Sequence, residues 1–139
     1  MRGLLVDAGP LVAVVDESDG DHQRCVRVLK RLSDPMMTTW PVVTEAMYLL
    51  GQTQNPLDSQ DALLTMLDRQ LVLVVDLRRE DVPRLRALIQ KYRDLPMDLA
   101  DATLVRVAER DAVRQVFTLD RHDFQVYRLG RREALTIIP

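Results

Sequence analysis

Residues Leu71 to Val75 read Leu-Val-Leu-Val-Val, five apolar positions with no polar residue to mark a solvent face. A run this short and uniform is expected to be a strand covered on both sides. A half-exposed strand alternates in polarity, and a buried helix needs about ten residues or more. Strands of that kind belong to parallel sheets wrapped by helices. Four more short strand candidates fit the same frame: Leu4 to Val6, Met36 to Thr39, Val116 to Leu119 and Leu135 to Ile138. Helical patterns lie between them. Gly9-Pro10 is expected to turn the chain before a first helix. Asp21 is expected to cap a second one running to about Leu32, with Cys25, Val28, Leu29 and Leu32 on its apolar face. Pro41 suits the opening turn of a helix carrying Val42, Ala46, Leu49 and Leu50. Further helices are expected over Asn55 to Gln70, Glu80 to Tyr92 and Asp98 to Arg110. The alternation predicts one α/β domain over residues 1–139, a three-layer sandwich around a central parallel sheet of about five short strands. Sheets of that class bind ligands beyond the carboxyl ends of their strands.

At 139 residues the chain is long enough for one real core. No apolar run approaches the roughly 20 residues that cross a bilayer. Asp7 interrupts the N-terminal apolar stretch, so no signal peptide is read there. Cys25 is the only cysteine, which rules out an intrachain disulfide and a cysteine-based zinc site. A cytoplasmic protein without membrane attachment is expected. Seventeen of the 19 basic residues are arginine, which grips phosphate and carboxylate with two hydrogen bonds at once; a GC-rich genome gives the same bias.

The acidic residues stand in odd places. Asp7 ends the first strand candidate and Asp120 ends "VFTLD". Glu45 interrupts "WPVVTEAMYLL". Asp98 and Asp101 sit three apart at the head of "MDLADATLVRVAER". Each has an ordinary reading. Asp7, Asp98 and Asp120 can cap the turns or helices that follow them, and Glu45 can pair with an arginine. Asp101 is harder to explain so, because its helical stripe continues through Val105 and Ala108. A buried carboxylate without a partner costs several kcal/mol or changes its protonation state. Convergence of these acids from distant segments is the sharper reading. Their mutual repulsion then calls for a hard divalent cation such as Mg²⁺ or Mn²⁺, which takes carboxylate oxygens and water and suits phosphate chemistry. Arg121, Arg128, Arg131 and Arg132 follow the last acidic motif and are candidates to hold substrate phosphates. A Gly-rich phosphate loop and an aromatic-rich RNA platform are both absent from the pattern.

In this order, "LLVDAGPLVAVVD", "TTWPVVTEAMYLL", "MDLADATLVRVAER" and "VFTLDRHDF" resemble the successive acidic motifs of PIN-domain ribonucleases, in particular the VapC-type toxins of bacterial toxin–antitoxin pairs. The resemblance spans nearly the whole chain. It implies a PIN-like fold and a Mg²⁺- or Mn²⁺-dependent endoribonuclease, inhibited by a small antitoxin protein and often homodimeric. It also implies Asp7, Glu45, Asp101 and Asp120 as the catalytic and metal-holding acids. Asp98 is an additional acid, either a cap or a further ligand. Ala8 stands where the family often has a hydroxyl. Water is the expected nucleophile, since no histidine pair is placed to run a metal-free transesterification.

Two other functions compete. A receiver or haloacid-dehalogenase type phosphotransfer domain also carries aspartates at strand ends, but Lys30 and Lys91 fall in helical patterns, and Gly9 occupies the place of the second aspartate of an Asp-x-Asp signature. A non-catalytic PIN-fold binding module is favoured by Ala8. The acids oppose it, because a purely structural domain gains stability by replacing them with apolar residues.

Overall fold

Leu4, Leu5 and Val6 are at most 2% exposed and form β1 (Leu4–Val6), the central strand of the computed structural model, which describes residues 2–139. Three consecutive side chains buried on alternating faces require cover on both sides of the strand. The chain supplies its helices in pairs. Helices α1 (Ala8–Val15) and α2 (His22–Arg31) lead to β2 (Met36–Thr38), and α3 (Trp40–Leu50) and α4 (Pro56–Asp68) lead to β3 (Val72–Val74). A 3-10 turn at Arg79–Asp81 opens α5 (Val82–Lys91), and α6 (Leu99–Asp111) then leads back to β4 (Gln115–Phe117). A one-turn helix, α7 (Arg121–Phe124), and a hairpin of β5 (Arg128–Leu129) and β6 (Glu133–Ala134) precede β7 (Thr136–Ile138). The five-stranded sheet runs β3-β2-β1-β4-β7 with every neighbouring pair parallel. It is the α/β architecture expected from the alternation of strands and helices.

That order positions the site. From β1 the chain moves outward to β2 and β3, then returns to β4 on the other side of β1. Connections therefore leave the carboxyl ends of β1 and β4 in opposite directions and open a crevice between them. Val6 pairs with Phe117, and the Asp7 N–H donates to the Phe117 carbonyl at 2.9 Å. Asp7 is thereby fixed beside the first residues after β4.

Ion pairs hold α6 in place. Asp81 is 2% exposed and accepts from Arg106 Nε at 2.7 Å and Arg110 Nη1 at 2.8 Å. Burial works against its ionisation, but the Arg78 backbone N–H and these two guanidinium groups prevail and hold its pKa below the usual carboxylate range. Arg84 grips Glu109 with two hydrogen bonds of 2.9 and 2.7 Å, tying α5 to α6.

Three local expectations are corrected. The Leu71–Val75 run is an edge strand: β3 has only β2 as a neighbour, and Leu71 and Leu73 are 56% and 41% exposed. Val72 is buried, while Leu73, on the opposite face of the strand, is open. Gly9-Pro10 is no turn but lies inside the first turn of α1. Proline is tolerated there because the first amides of a helix have no intrahelical acceptor. Asp21 stands at the start of α2, yet its side chain makes no capping bond.

The end of α6 carries a removable strain. Ala112 closes the helix at φ 54°, in the left-handed region that favours glycine. Ala112→Gly is expected to stabilise the fold by about 1 kcal/mol, the cost of holding a Cβ in the left-handed region, read as a higher urea midpoint with an unchanged slope.

Candidate active site

Three aspartates converge because each starts a helix at the crevice. Asp7 caps α1 through Oδ1, which accepts from the Ala8 N–H at 2.8 Å. Asp98 caps α6 by accepting from the Asp101 N–H at 2.8 Å. Asp120 caps α7 in the same way, accepting from the Asp123 N–H at 3.1 Å. The capping role expected of these residues is thus real. It does not compete with a shared site, since capping leaves carboxylate lone pairs free and aims the side chains at the crevice.

A cavity of about 480 Å³ results, lined by Asp7, Glu45, Asp98, Asp101, Asp120 and Asp123. Carboxylate oxygens of Asp101, Asp120 and Asp123 lie within 4.8 Å of one another. Asp101 is 8% exposed, and Tyr127 donates its hydroxyl to Oδ2 at 2.7 Å. Tyr127 is fully buried and is held edge-on against Tyr92 and Phe124. Thr118, also fully buried, donates to Asp7 Oδ2 at 2.8 Å and accepts from the Asp120 N–H at 3.0 Å. One hydroxyl therefore ties the β1 acid to the β4 acid, at a site where Ala8 offers none. Thr118→Val is expected to cost about 1–2 kcal/mol by leaving the buried Asp7 carboxylate without this donor, measurable by denaturant titration.

Electrostatics set this cavity apart from the rest of the molecule. Burial pushes the Asp101 carboxyl up to about 8; the Tyr127 hydroxyl opposes the shift, and the charges of Asp7, Asp98 and Asp120 add to it. Asp7 is raised by burial and by Asp98 and Asp120, against hydrogen bonds from Ala8 and Thr118. Glu45 is raised by partial desolvation and by Asp7 and Asp98. Asp120 is raised by desolvation and by Asp123, against the Asp123 amide. Among the described residues, no lysine or arginine pairs with any of the six. A hard divalent cation fits this donor set, which is all oxygen, anionic and close-spaced.

The structure thus brings Asp7, Glu45, Asp98, Asp101 and Asp120 to one cavity. Glu45 is on its exposed rim rather than on the buried stripe of α3, where Val42 and Ala46 sit. Asp123 joins the five; the signal was its spacing of three from Asp120, which repeats Asp98 and Asp101. None of the four basic candidates lines the cavity. Arg121 Nη1 donates to the Pro139 carbonyl, and Arg128 Nη1 donates to the carbonyls of Gln125, Val126 and Tyr127. Arg131 and Arg132 are exposed in the β5–β6 hairpin, whose Gly130 N–H donates to Glu109. That contact lies eight residues beyond Asp101 on α6, about 12 Å along the axis.

A parallel sheet with acids gathered at its central switch point is the arrangement of PIN domains. Residues 4–129 match the model of the PIN domain, and the chain belongs to that family. It is 26% identical over 136 residues to ribonuclease VapC26 of Mycobacterium tuberculosis (strain ATCC 25618 / H37Rv), covering 98% of this chain and 100% of that one. Among solved structures it is similar in fold to M. tuberculosis VapC20, described as a sarcin-ricin loop cleaving toxin. The TM-score is 0.73 at 16% identity, over 81% of this chain and 86% of that one. It is also similar in fold to VapBC from Salmonella typhimurium, solved bound to DNA, with a TM-score of 0.63 at 16% identity over 99% of this chain and 98% of that one.

Proposed function

We infer that the chain is an endoribonuclease of the VapC type, the toxin of a toxin–antitoxin pair, and that it works with Mg²⁺ or Mn²⁺. One observation carries the reading: six carboxylates face one cavity, and among the described residues none pairs with a lysine or arginine in a chain that has seventeen arginines; the one basic contact is the exposed His122 on Asp123. Elsewhere the same chain commits two arginines to the single buried Asp81.

Asp101, Asp120 and Asp123 would hold the cation together with Asp7, and Asp98 and Glu45 complete the anionic wall. When bound, the ion polarises a phosphodiester and makes a water more acidic. The protein's own groups do the rest. Tyr127 fixes the Asp101 carboxylate, and Thr118 keeps Asp7 and Asp120 at a constant separation. Glu45 is exposed, has a raised pKa, and its carboxylate has no hydrogen-bond partner among the described residues. It is the group placed to take a proton from an attacking water. Attack on phosphorus with departure of the 3′-oxygen leaves a 5′-phosphate and a 3′-hydroxyl. End-labelled RNA products test this directly. Ends carrying a 2′,3′-cyclic phosphate, or full activity in EDTA, would falsify the mechanism.

A small antitoxin protein and a second copy of the chain are the proposed partners. In support, α4 buries only Leu63 and leaves Leu57 79% and Leu64 45% exposed on its outer face. An apolar stripe of that kind is what an amphipathic partner helix covers.

A further inference from the structure

We propose that Trp40 and Leu99 form a stacking shelf for one unpaired RNA base next to the phosphate that is cut. The inference rests on the ribonuclease reading above and extends it to how the substrate is seated.

A shallow apolar hollow of about 680 Å³ opens over Trp40, Pro41, Leu99 and Ala100, with Glu45 and Asp98 also in its wall. The same two carboxylates line the acidic cavity, so the two hollows share a wall. Trp40 is 54% exposed and Leu99 51%. Connectivity makes the adjacency rigid. Leu99 directly follows the α6 cap, Asp98, and Trp40 precedes Glu45 by five residues of α3, about 7 Å along the axis. A strand with its phosphate among the acids has its neighbouring nucleotide within reach of this shelf.

Charge decides what occupies it. No lysine or arginine lines the hollow, so a phosphate gains nothing there. A second copy docked across a two-fold axis at this point would bring Glu45 and Asp98 against their own equivalents, or bury them unpaired, and either is unfavourable. A nucleobase is neutral and planar, and it presents a π-face to the indole. Stacking on exposed aromatics is the usual way an unpaired base is held, and it tolerates any base. The shelf therefore favours RNA whose bases are already unstacked, such as a loop or a single strand.

Trp40 is the only tryptophan, so intrinsic fluorescence reports on this shelf alone. The full chain carrying Glu45→Gln, which prevents cleavage and leaves the four aspartates that would hold the cation, is titrated in Mg²⁺ with a single-stranded 12-nucleotide RNA of mixed sequence. Binding is followed in parallel by the anisotropy of a labelled copy. Tryptophan emission is expected to quench with the same midpoint as the anisotropy change, whereas sodium tripolyphosphate, which has no base, leaves it unchanged. In the same background, Trp40→Ala is expected to weaken RNA binding about tenfold or more, and Trp40→Phe to retain most of it. RNA that binds without quenching, and equally well to Trp40→Ala, overturns the shelf and leaves the nuclease reading standing. Trp40→Ala that converts a dimer to a monomer without changing RNA affinity assigns the surface to a second copy and also overturns it. A wild-type chain that neither binds nor cuts RNA removes the ribonuclease reading itself, and the shelf with it.

Discussion

Asp101→Asn is expected to abolish RNA cleavage and, in the same molecule, to raise the melting temperature of the metal-free protein at pH 8. Loss of activity by about three orders of magnitude or more follows from removing a buried carboxylate of the proposed cation site, since each 1.36 kcal/mol of lost transition-state stabilisation is tenfold in rate. The gain in stability follows from the folded-state pKa of about 8, raised from 3.8. Between those values the unfolded chain loses the proton while the fold retains it, so stability falls steadily as pH rises from about 4 to about 8. Asparagine has no proton to lose and can still accept the Tyr127 hydroxyl. The variant should therefore melt about 5 °C or more above wild type at pH 8, and the gap should shrink towards pH 5. A variant that is inactive but melts lower at both pH values would contradict this account of the site.

Millimolar Mn²⁺ is expected to stabilise the wild-type chain far more at pH 8 than at pH 5.5. The acids with raised pKa values, Asp7, Glu45, Asp101 and Asp120, must release protons before they can hold a cation. Stability lost to repulsion as pH rises is thus recovered when the ion binds. At a hundredfold excess over its dissociation constant, binding adds about 2.7 kcal/mol, which for a domain of this size is on the order of 10 °C. Scanning calorimetry with Mn²⁺, Mg²⁺ and EDTA at both pH values measures it, and Asp101→Asn should respond weakly to all three. Melting curves that coincide in metal and EDTA would show that the carboxylates tolerate one another unaided.

The sheet was legible in the sequence because each strand carries a short apolar core between helical patterns, and Leu4 to Val6 behaves as such a run should. Leu71 to Val75 looked identical yet lies at the edge, since uniform apolarity reports strand propensity and not the number of neighbours. Gly9-Pro10 misled because a proline in the first helical turn sacrifices no hydrogen bond and looks, residue by residue, like a turn. Five acids of the cavity could be named from their positions at strand ends and helix starts. Asp123 offers no signal beyond its spacing of three from Asp120. The exposure of Glu45 was not legible, because a stripe of apolar neighbours fixes only an approximate direction on a helix. Tyr127 carried no signal at all: its partner Asp101 is 26 residues away, and the two-residue strand that follows it is too short for any periodicity.

The use of Asp98 and Asp120 as helix caps has a genetic consequence. A single base change in an aspartate codon gives asparagine, which caps a helix about as well. Such lesions leave the core, the ion pairs around Asp81 and the outer face of α4 as they were. The altered chain is not sent to the proteases that remove unfolded proteins. It is expected to persist at full length with its surface unchanged. Loss of activity by such a route leaves the amount of folded protein as it was, so abundance does not report on activity.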